Sequence, residues 1–219
     1  MRTAKISLYI KTGLAASCMV VLFSVAAAAQ GFEGKITYKA SYKGKSTAVS
    51  DNEFAFMMGT RQVCFYKEGN YKSVMNGALF QWQLYTSSDN RFYNKMANSE
   101  AVYWTDASEN SDEVLAAVVN KGVAEILGYP CDELVLTCKS GLQKYYFNAG
   151  FPLNPALFEG HKLGNWFAYL SRAKAIPLKT VVESEQLVYE IVAVDIKPLQ
   201  LDQELFTVPE NTDVVKSTF

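Results

Sequence analysis

The chain has 219 residues, of which 49% are apolar and 13% aromatic, with only 13 glycines and 6 prolines. This composition excludes an intrinsically disordered chain, because such chains have too few apolar side chains to form a core. With 21 basic and 22 acidic residues, the chain also lacks the basic excess that neutralises phosphates, so we expect no nucleic-acid partner.

Residues 1–29 have the pattern of a secretory signal peptide. Three basic residues and no acidic one precede the apolar run 14–29, and the alanines at 27–29 suit signal peptidase ahead of Gln30. Cleavage there would leave 18 basic and 22 acidic residues, a net charge near −4. We therefore predict an exported protein whose residues 30–219 form one domain.

Two alternatives to a cleaved signal remain open. The first is a membrane anchor, although the apolar run is shorter than the ~20 residues that a spanning helix needs. The second is a lipoprotein signal cut before Cys18, with small residues in front of it. Most of the apolar core follows Cys18, so cleavage near Gln30 is the better interpretation.

Alternating apolar and polar side chains over residues 32–42 predict a half-buried strand, because successive side chains point to opposite faces of a sheet. A run of hairpins is predicted next. The Asn76-Gly77 pair predicts a two-residue hairpin turn, since both of its positions need positive φ. The strands of this run are predicted at 61–67, 71–75, 78–86, 91–96 and 101–105.

The second half of the chain contains two ambiguous segments, 114–119 and 123–127. Alanines favour helix there, whereas the β-branched residues and Gly122 favour strand; we predict strands. Prolines and glycines interrupt the alternation over 149–175, where we predict short helices that cross the sheet. Further strands are predicted at 132–138, 142–148, 178–184 and 186–196.

No catalytic or metal-binding motif is present in the sequence. His161 is the only histidine, and it lies in a polar turn where we expect a solvent-exposed imidazole. A nucleophilic triad normally uses histidine as its base, and zinc sites usually take several His or Cys ligands. Phosphate-binding, dinucleotide-binding and nucleophile-elbow motifs are missing as well. We therefore predict that the protein is not an enzyme and uses no cofactor or metal.

Cleavage near Gln30 would leave three cysteines, Cys64, Cys131 and Cys138. On one extended strand Cys131 and Cys138 would lie ~23 Å apart on opposite faces, too far for a disulfide. A disulfide, if one forms, should therefore contain Cys64. The alternative is that all three are buried and unpaired.

Several short segments carry a family resemblance. Residues 65–72 lead through Asn76-Gly77 into paired aromatic strands, and 126–131 read Ile-Leu-Gly-Tyr-Pro-Cys. The segment 176–179 precedes a long strand, and 205–209 close the domain. In these features the chain resembles the LolA/LolB-like superfamily of periplasmic lipoprotein carriers, and most closely its exported relatives of unknown function. The resemblance implies a mainly β (α+β) fold in which a curved antiparallel meander forms a half-barrel and short helices cover its concave face.

The same resemblance implies that apolar ligands bind on the concave face, where the carriers hold acyl chains. We therefore expect a non-enzymatic protein of the periplasm or outer envelope of a bacterium that binds a lipid or an acylated protein and associates with the membrane. The alternative is a closed β domain that acts as a structural or interaction module at the cell surface. Period-two alternation predicts that Phe80, Trp82 and Leu84 share one strand face. The candidate ligand-binding residues are Phe80, Trp82, Leu84, Phe92, Trp166 and Phe167.

Overall fold

A computed structural model describes residues 31–46 and 48–218, so the predicted signal peptide lies outside the described residues. Within these residues the chain forms twelve strands in one open sheet and two short α-helices. The helices are α1 (Asp51–Met58) and α2 (Trp166–Ala173). The strands are β1 (Gly34–Gly44), β2 (Arg61–Lys67), β3 (Asn70–Met75), β4 (Phe80–Thr86), β5 (Arg91–Met96), β6 (Val102–Asp106), β7 (Val114–Ile126), β8 (Tyr129–Cys138), β9 (Gly141–Pro152), β10 (Ala175–Ser184), β11 (Leu187–Pro198) and β12 (Val214–Lys216).

The strands are ordered β12-β6-β5-β4-β3-β2-β1-β11-β10-β9-β8-β7. Two meanders, β1 to β6 and β7 to β11, meet where β1 pairs with β11. Neighbours are antiparallel throughout, except that β12 runs parallel to β6. The predicted mainly β, antiparallel architecture is therefore confirmed, and the sheet does not close into a barrel.

Both helices lie on the same face of the sheet, which we call the helical face. Phe54 of α1 stacks on Tyr42 of β1, with ring centroids 6.4 Å apart. Tyr169 of α2 stacks on Tyr145 of β9, with ring centroids 4.2 Å apart. Pairing across β10 and β11 places Tyr145 on the same face of the sheet as Ala40 of β1, and this is also the face of Tyr42. Part of the opposite face is covered by the segment 199–208, through Leu201 and Phe206.

The Asn76-Gly77 pair does not form the predicted two-residue turn. Gly77 has no positive φ, and β4 begins only at Phe80. The intervening backbone pairs with α1 instead, because the N–H groups of residues 78 and 79 donate to α1 carbonyls at 2.9 Å. A Cβ on Gly77 would lie 2.4 Å from the Gly59 nitrogen, so the glycine permits this close approach.

Helix α1 was not predicted, although its start has a recognisable sequence signature. Ser50 caps the helix by accepting from the Glu53 N–H, and the Glu53 carboxylate accepts in return from the Ser50 N–H at 2.8 Å. This reciprocal capping box satisfies N–H groups that the first turn leaves unpaired. No residue of α1 is fully buried, so the helix lies over the sheet without being sealed against it.

The structure resolves the ambiguous segments as strand and confirms the predicted short helices. β7 covers 114–119 and 123–126 and ends one residue before the predicted boundary at 127, with a register shift after Asn120 where Gly122 has φ +62°. Between β9 and β10 the chain forms 3-10 helices at Pro155–Phe158 and Leu163–Asn165, followed by α2. These helices lie across the sheet, as the prolines and glycines of this region indicated.

Candidate ligand-binding pocket

Along the strand direction the helical face is divided into a covered half and an open half. The 3-10 helices and α2 lie over the covered half, where Tyr85, Phe158 and His161 are each about 1% exposed. Half-buried rings complete this group. We call it the aromatic cluster: Tyr71, Tyr85, Phe92, Phe158, His161 and Trp166.

His161 lies at the centre of the aromatic cluster, so the prediction of an exposed imidazole is wrong. Its ring lies against Tyr85 with centroids 4.1 Å apart and planes tilted by 31°, and its Nε2 is 2.7 Å from the Tyr71 hydroxyl. Asn90 holds the turn that carries it by donating to the Gly160 carbonyl at 3.1 Å. Burial lowers the pKa of His161 to about 3, so at neutral pH the ring is an uncharged part of the core.

The open half contains a pocket of about 400 Å³ between α1 and the sheet, which we call the α1 pocket. Its walls are mostly aromatic and aliphatic, and its polar groups are two glutamines of the sheet and Arg61 at the rim. The lining side chains include Ala40, Tyr42, Phe54, Met58, Arg61, Gln62, Met75, Phe80, Gln83, Val182, Leu187 and Tyr189.

A second depression, of about 550 Å³, lies beside it over β5 and β6, and Phe80 lines both. We call it the polar pocket, because six of its eight lining residues carry an amide or a hydroxyl group. No side chain that carries a charge at neutral pH is among the residues that line it. The lining residues are Phe80, Asn94, Met96, Asn98, Ser99, Tyr103, Thr105 and Ser217.

A band of polar side chains separates the covered half from the open half. Gln62, Ser73, Gln83 and Asn94 lie on the four consecutive strands β2 to β5. Gln62 donates to the Ser73 hydroxyl at 3.0 Å, and Gln83 donates to the Asn94 carbonyl oxygen at 2.7 Å. The band gives the open half an edge that can form hydrogen bonds beside its apolar walls.

The same order of side chains occurs on two strands. On β3 an aromatic residue, a polar residue and a methionine follow at alternate positions, as Tyr71, Ser73 and Met75, and β5 has Phe92, Asn94 and Met96. The aromatic residue joins the covered half, the polar residue joins the band and the methionine lines the open half. This repeat is the signal from which the pocket could have been found in the sequence.

The predicted site residues do not form one surface. Phe80 lines the pockets, whereas Trp82 and Leu84 lie on the opposite face against Tyr93 and the segment 199–208. The predicted common face is wrong because a bulge at Gln81 pairs Phe80 with Met96 but Trp82 with Lys95.

The remaining three predicted residues lie around the covered half. Phe92 and Trp166 belong to the aromatic cluster. Phe167 is half-buried on α2, where its N–H donates to the His161 carbonyl at 2.9 Å. None of the three lines the α1 pocket or the polar pocket.

Cys64, Cys131 and Cys138 are buried and form no disulfide. The prediction that Cys131 and Cys138 face opposite ways is wrong. Both belong to the core beneath α2, and Asn165, just before that helix, donates to the Cys138 sulfur at 3.4 Å. The alternation of buried and exposed side chains along β8 is interrupted, because two half-buried residues, 132 and 133, lie between the buried Cys131 and the buried Leu134. Burial raises the pKa of Cys64 and of Cys138 to about 11.

Residues 31–46 and 48–218 contain no group of three or more His, Cys, Asp or Glu side chains that could hold a metal ion. Neither helix in these ranges has the length and apolar character needed to cross a membrane.

Comparison with known proteins gives only distant likenesses. No family model and no curated protein matches the sequence. Two crystal forms of PNGF-II, in space groups P21 and C2, are each 13% identical, with TM-scores of 0.46 and 0.42. They cover 86% and 83% of this chain, which spans about a third of PNGF-II (32% and 31%). The LolA-superfamily protein NE2245 of Nitrosomonas europaea is 10% identical, with a TM-score of 0.39. The match covers 81% of this chain and 91% of the NE2245 chain. At these identities and TM-scores the comparisons assign the chain to no family.

Proposed function

We propose that this protein is an exported, non-enzymatic binder of a small amphipathic lipid, held with its apolar part in the α1 pocket. The observation that carries the proposal is the open half of the helical face, where an apolar pocket of about 400 Å³ lies under a helix with no buried residue. Small-molecule sites usually have volumes of ~300–1,000 Å³ and mostly apolar walls.

The lining of the α1 pocket suits a flexible chain. Met58 and Met75 are unbranched and polarizable, so they adapt to an irregular apolar ligand. Tyr42, Phe54 and Phe80 supply large apolar surfaces. Each methylene group removed from water contributes ~0.8 kcal/mol, so six methylenes provide ~5 kcal/mol before the cost of association.

The polar pocket supports a neutral headgroup. Asn94, Asn98, Ser99 and Tyr103 offer both donors and acceptors for hydroxyl or amide groups. A phosphate or carboxylate placed there would lose hydration without meeting an opposite charge. Arg61 is exposed at the rim of the α1 pocket, so it offers only a solvent-screened attraction. We therefore infer a glyceride-like or glycosylated lipid.

The test compares three probes of the same acyl length: a monoacylglycerol, a fatty acid and a lysophospholipid, titrated calorimetrically into the protein. We expect one monoacylglycerol per chain, with a negative heat-capacity change from apolar burial, and weaker binding of the two charged probes. Preference for the fatty acid would contradict the neutral headgroup and favour a carboxylate at Arg61. Absence of binding by all three would contradict the proposed function.

Export rests on the signal-like residues 1–29 and has its own test. N-terminal sequencing of the protein recovered from the cell envelope should give Gln30 or a residue within a few positions of it. An intact Met1, or a terminus at a lipid-modified Cys18, would contradict the cleaved signal.

A second candidate function is a structural or interaction module at the cell surface. It is favoured by the close packing of the covered half, where Tyr169 and Leu170 of α2 are fully buried. This candidate expects α1 to stay closed over the sheet, so that no lipid probe binds and substitutions in the α1 pocket change only stability.

A further inference from the structure

Strand β7 forms one edge of the sheet and pairs only with β8. At thirteen residues it is the longest strand described, whereas β12 at the other edge has three. An edge strand presents a row of unpaired N–H and C=O groups that can pair with another strand. The exposed backbone of β7 is therefore a surface for strand addition.

The side chains of β7 are unusually apolar for an exposed edge. Residues 115–119 read Leu-Ala-Ala-Val-Val, and all five are exposed. Leu115 is 58% and Val118 56% exposed. Consecutive residues point to opposite faces of the sheet, so both faces of this edge are left open to solvent.

The geometry restricts where another strand can pair. Register shifts interrupt the β7–β8 ladder between Val114 and Ala116 and again after Asn120. Such irregularities bend an edge and limit pairing. Between them, residues 116–120 pair with β8 without a break. This regular stretch of five residues is the part of the edge able to accept a partner strand.

We propose that two copies of this chain associate through β7, with residues 116–120 of each copy pairing antiparallel about a two-fold axis. The backbone groups of both edges would then be satisfied, and Val118 would contact its counterpart across the axis. Because the axis stands perpendicular to the sheet, the two helical faces lie on the same side. The polar pocket lies over β5 and β6 near the other edge, and the α1 pocket lies over the central strands, so neither is at this interface.

The charges at the two ends of the exposed apolar stretch favour a copy of the same chain in this orientation. Glu113 precedes it and Lys121 follows it. An antiparallel pair with its axis at Val118 brings the Glu113 end of each strand near the Lys121 end of the other, whereas parallel pairing opposes like charges. Each of the two already has an ion-pair partner on its own chain, Lys139 and Asp132. These contacts therefore set orientation more than affinity.

Sedimentation velocity on the purified protein over a concentration series tests the proposal. We expect a concentration-dependent dimer in the parent and a monomer for Val118→Lys, which brings two like charges together at the axis. Val194→Lys is the matched control: Val194 is 48% exposed on β11, which has a neighbour on each side. This variant should dimerise like the parent.

A second variant keeps the test independent of how well Val118→Lys folds. Val118→Cys places two thiols opposite each other at the axis, while Cys64, Cys131 and Cys138 are buried, so mild oxidation should give a cross-linked dimer. A monomeric parent at every concentration, a Val118→Lys variant that dimerises normally, or no cross-link would overturn the proposal. None of these readouts depends on lipid binding.

Discussion

Phe80 and Trp82 are two positions apart on β4, and the bulge at Gln81 directs their side chains to opposite faces. Phe80 lines the α1 pocket and the polar pocket. Trp82 packs against the cluster that contains Leu84 and Phe206. We predict that Phe80→Ala weakens lipid binding and changes stability little, whereas Trp82→Ala lowers stability and leaves binding unchanged.

The expected magnitudes follow from what surrounds each ring. Replacing a fully buried Trp by Ala costs ~3–5 kcal/mol; because Trp82 is only half-buried, we expect about 2 kcal/mol by the same rule. For a domain of this size that corresponds to a melting temperature lower by about 4–8 °C. Truncating Phe80 removes ~1–2 kcal/mol of apolar contact with a bound lipid, which raises the dissociation constant roughly 5- to 30-fold.

The assay measures thermal unfolding and monoacylglycerol affinity for the parent and for both variants. Trp82 has a further contact that the substitution removes, since the Lys72 ammonium lies 4.9 Å from its ring centroid. Equal losses of affinity in the two variants would refute the division of β4 between two faces. A Phe80→Ala variant that unfolds would show that Phe80 belongs to a closed core, as the structural-module function requires.

Three further predictions concern residues outside the α1 pocket lining. The pKa of His161 is about 3 in the folded protein and ~6.5 in the unfolded chain. The stabilisation of the fold that comes from keeping this imidazole neutral is therefore fully present above pH ~6.5. It falls by ~1.4 kcal/mol per pH unit as pH drops towards 3. Between pH 6.5 and 5, His161→Gln should flatten this slope in chemical denaturation; an unchanged slope would contradict burial of the only histidine. Cys64, Cys131 and Cys138 should resist a thiol reagent until the protein unfolds, when three thiols should react after cleavage near Gln30 and four if Cys18 is retained; rapid labelling of the native protein would contradict their burial. Gly77→Ala should displace α1 and lower both melting temperature and lipid affinity, since the added Cβ would lie 2.4 Å from the Met57 carbonyl oxygen; an unaffected melting temperature would contradict this close approach.

Much of the fold can be predicted from the sequence, because alternation and turn residues act locally. The strand at 32–42 appears as β1, and the strands predicted at 61–67 and 91–96 coincide with β2 and β5. The short helices of 149–175 are present as well. Of the six candidate site residues, only Phe80 lines the α1 pocket. Alternation in the sequence predicts which side chains share a face of a strand, but it does not show which segments pack over that face.

The sequence by itself determined which segments become strands, because a strand's period of two is a property of its own residues. Only the tertiary structure decided which face each strand turns to the helices. A single bulge at Gln81 reverses the facing of Trp82 relative to Phe80, and it is defined by pairing with β5 rather than by β4 alone. Likewise His161 lies in a polar turn of the sequence, yet Tyr71 and Tyr85, far away in the chain, bury it. Burial depends on contacts between distant segments, and those contacts form only when the sheet is assembled.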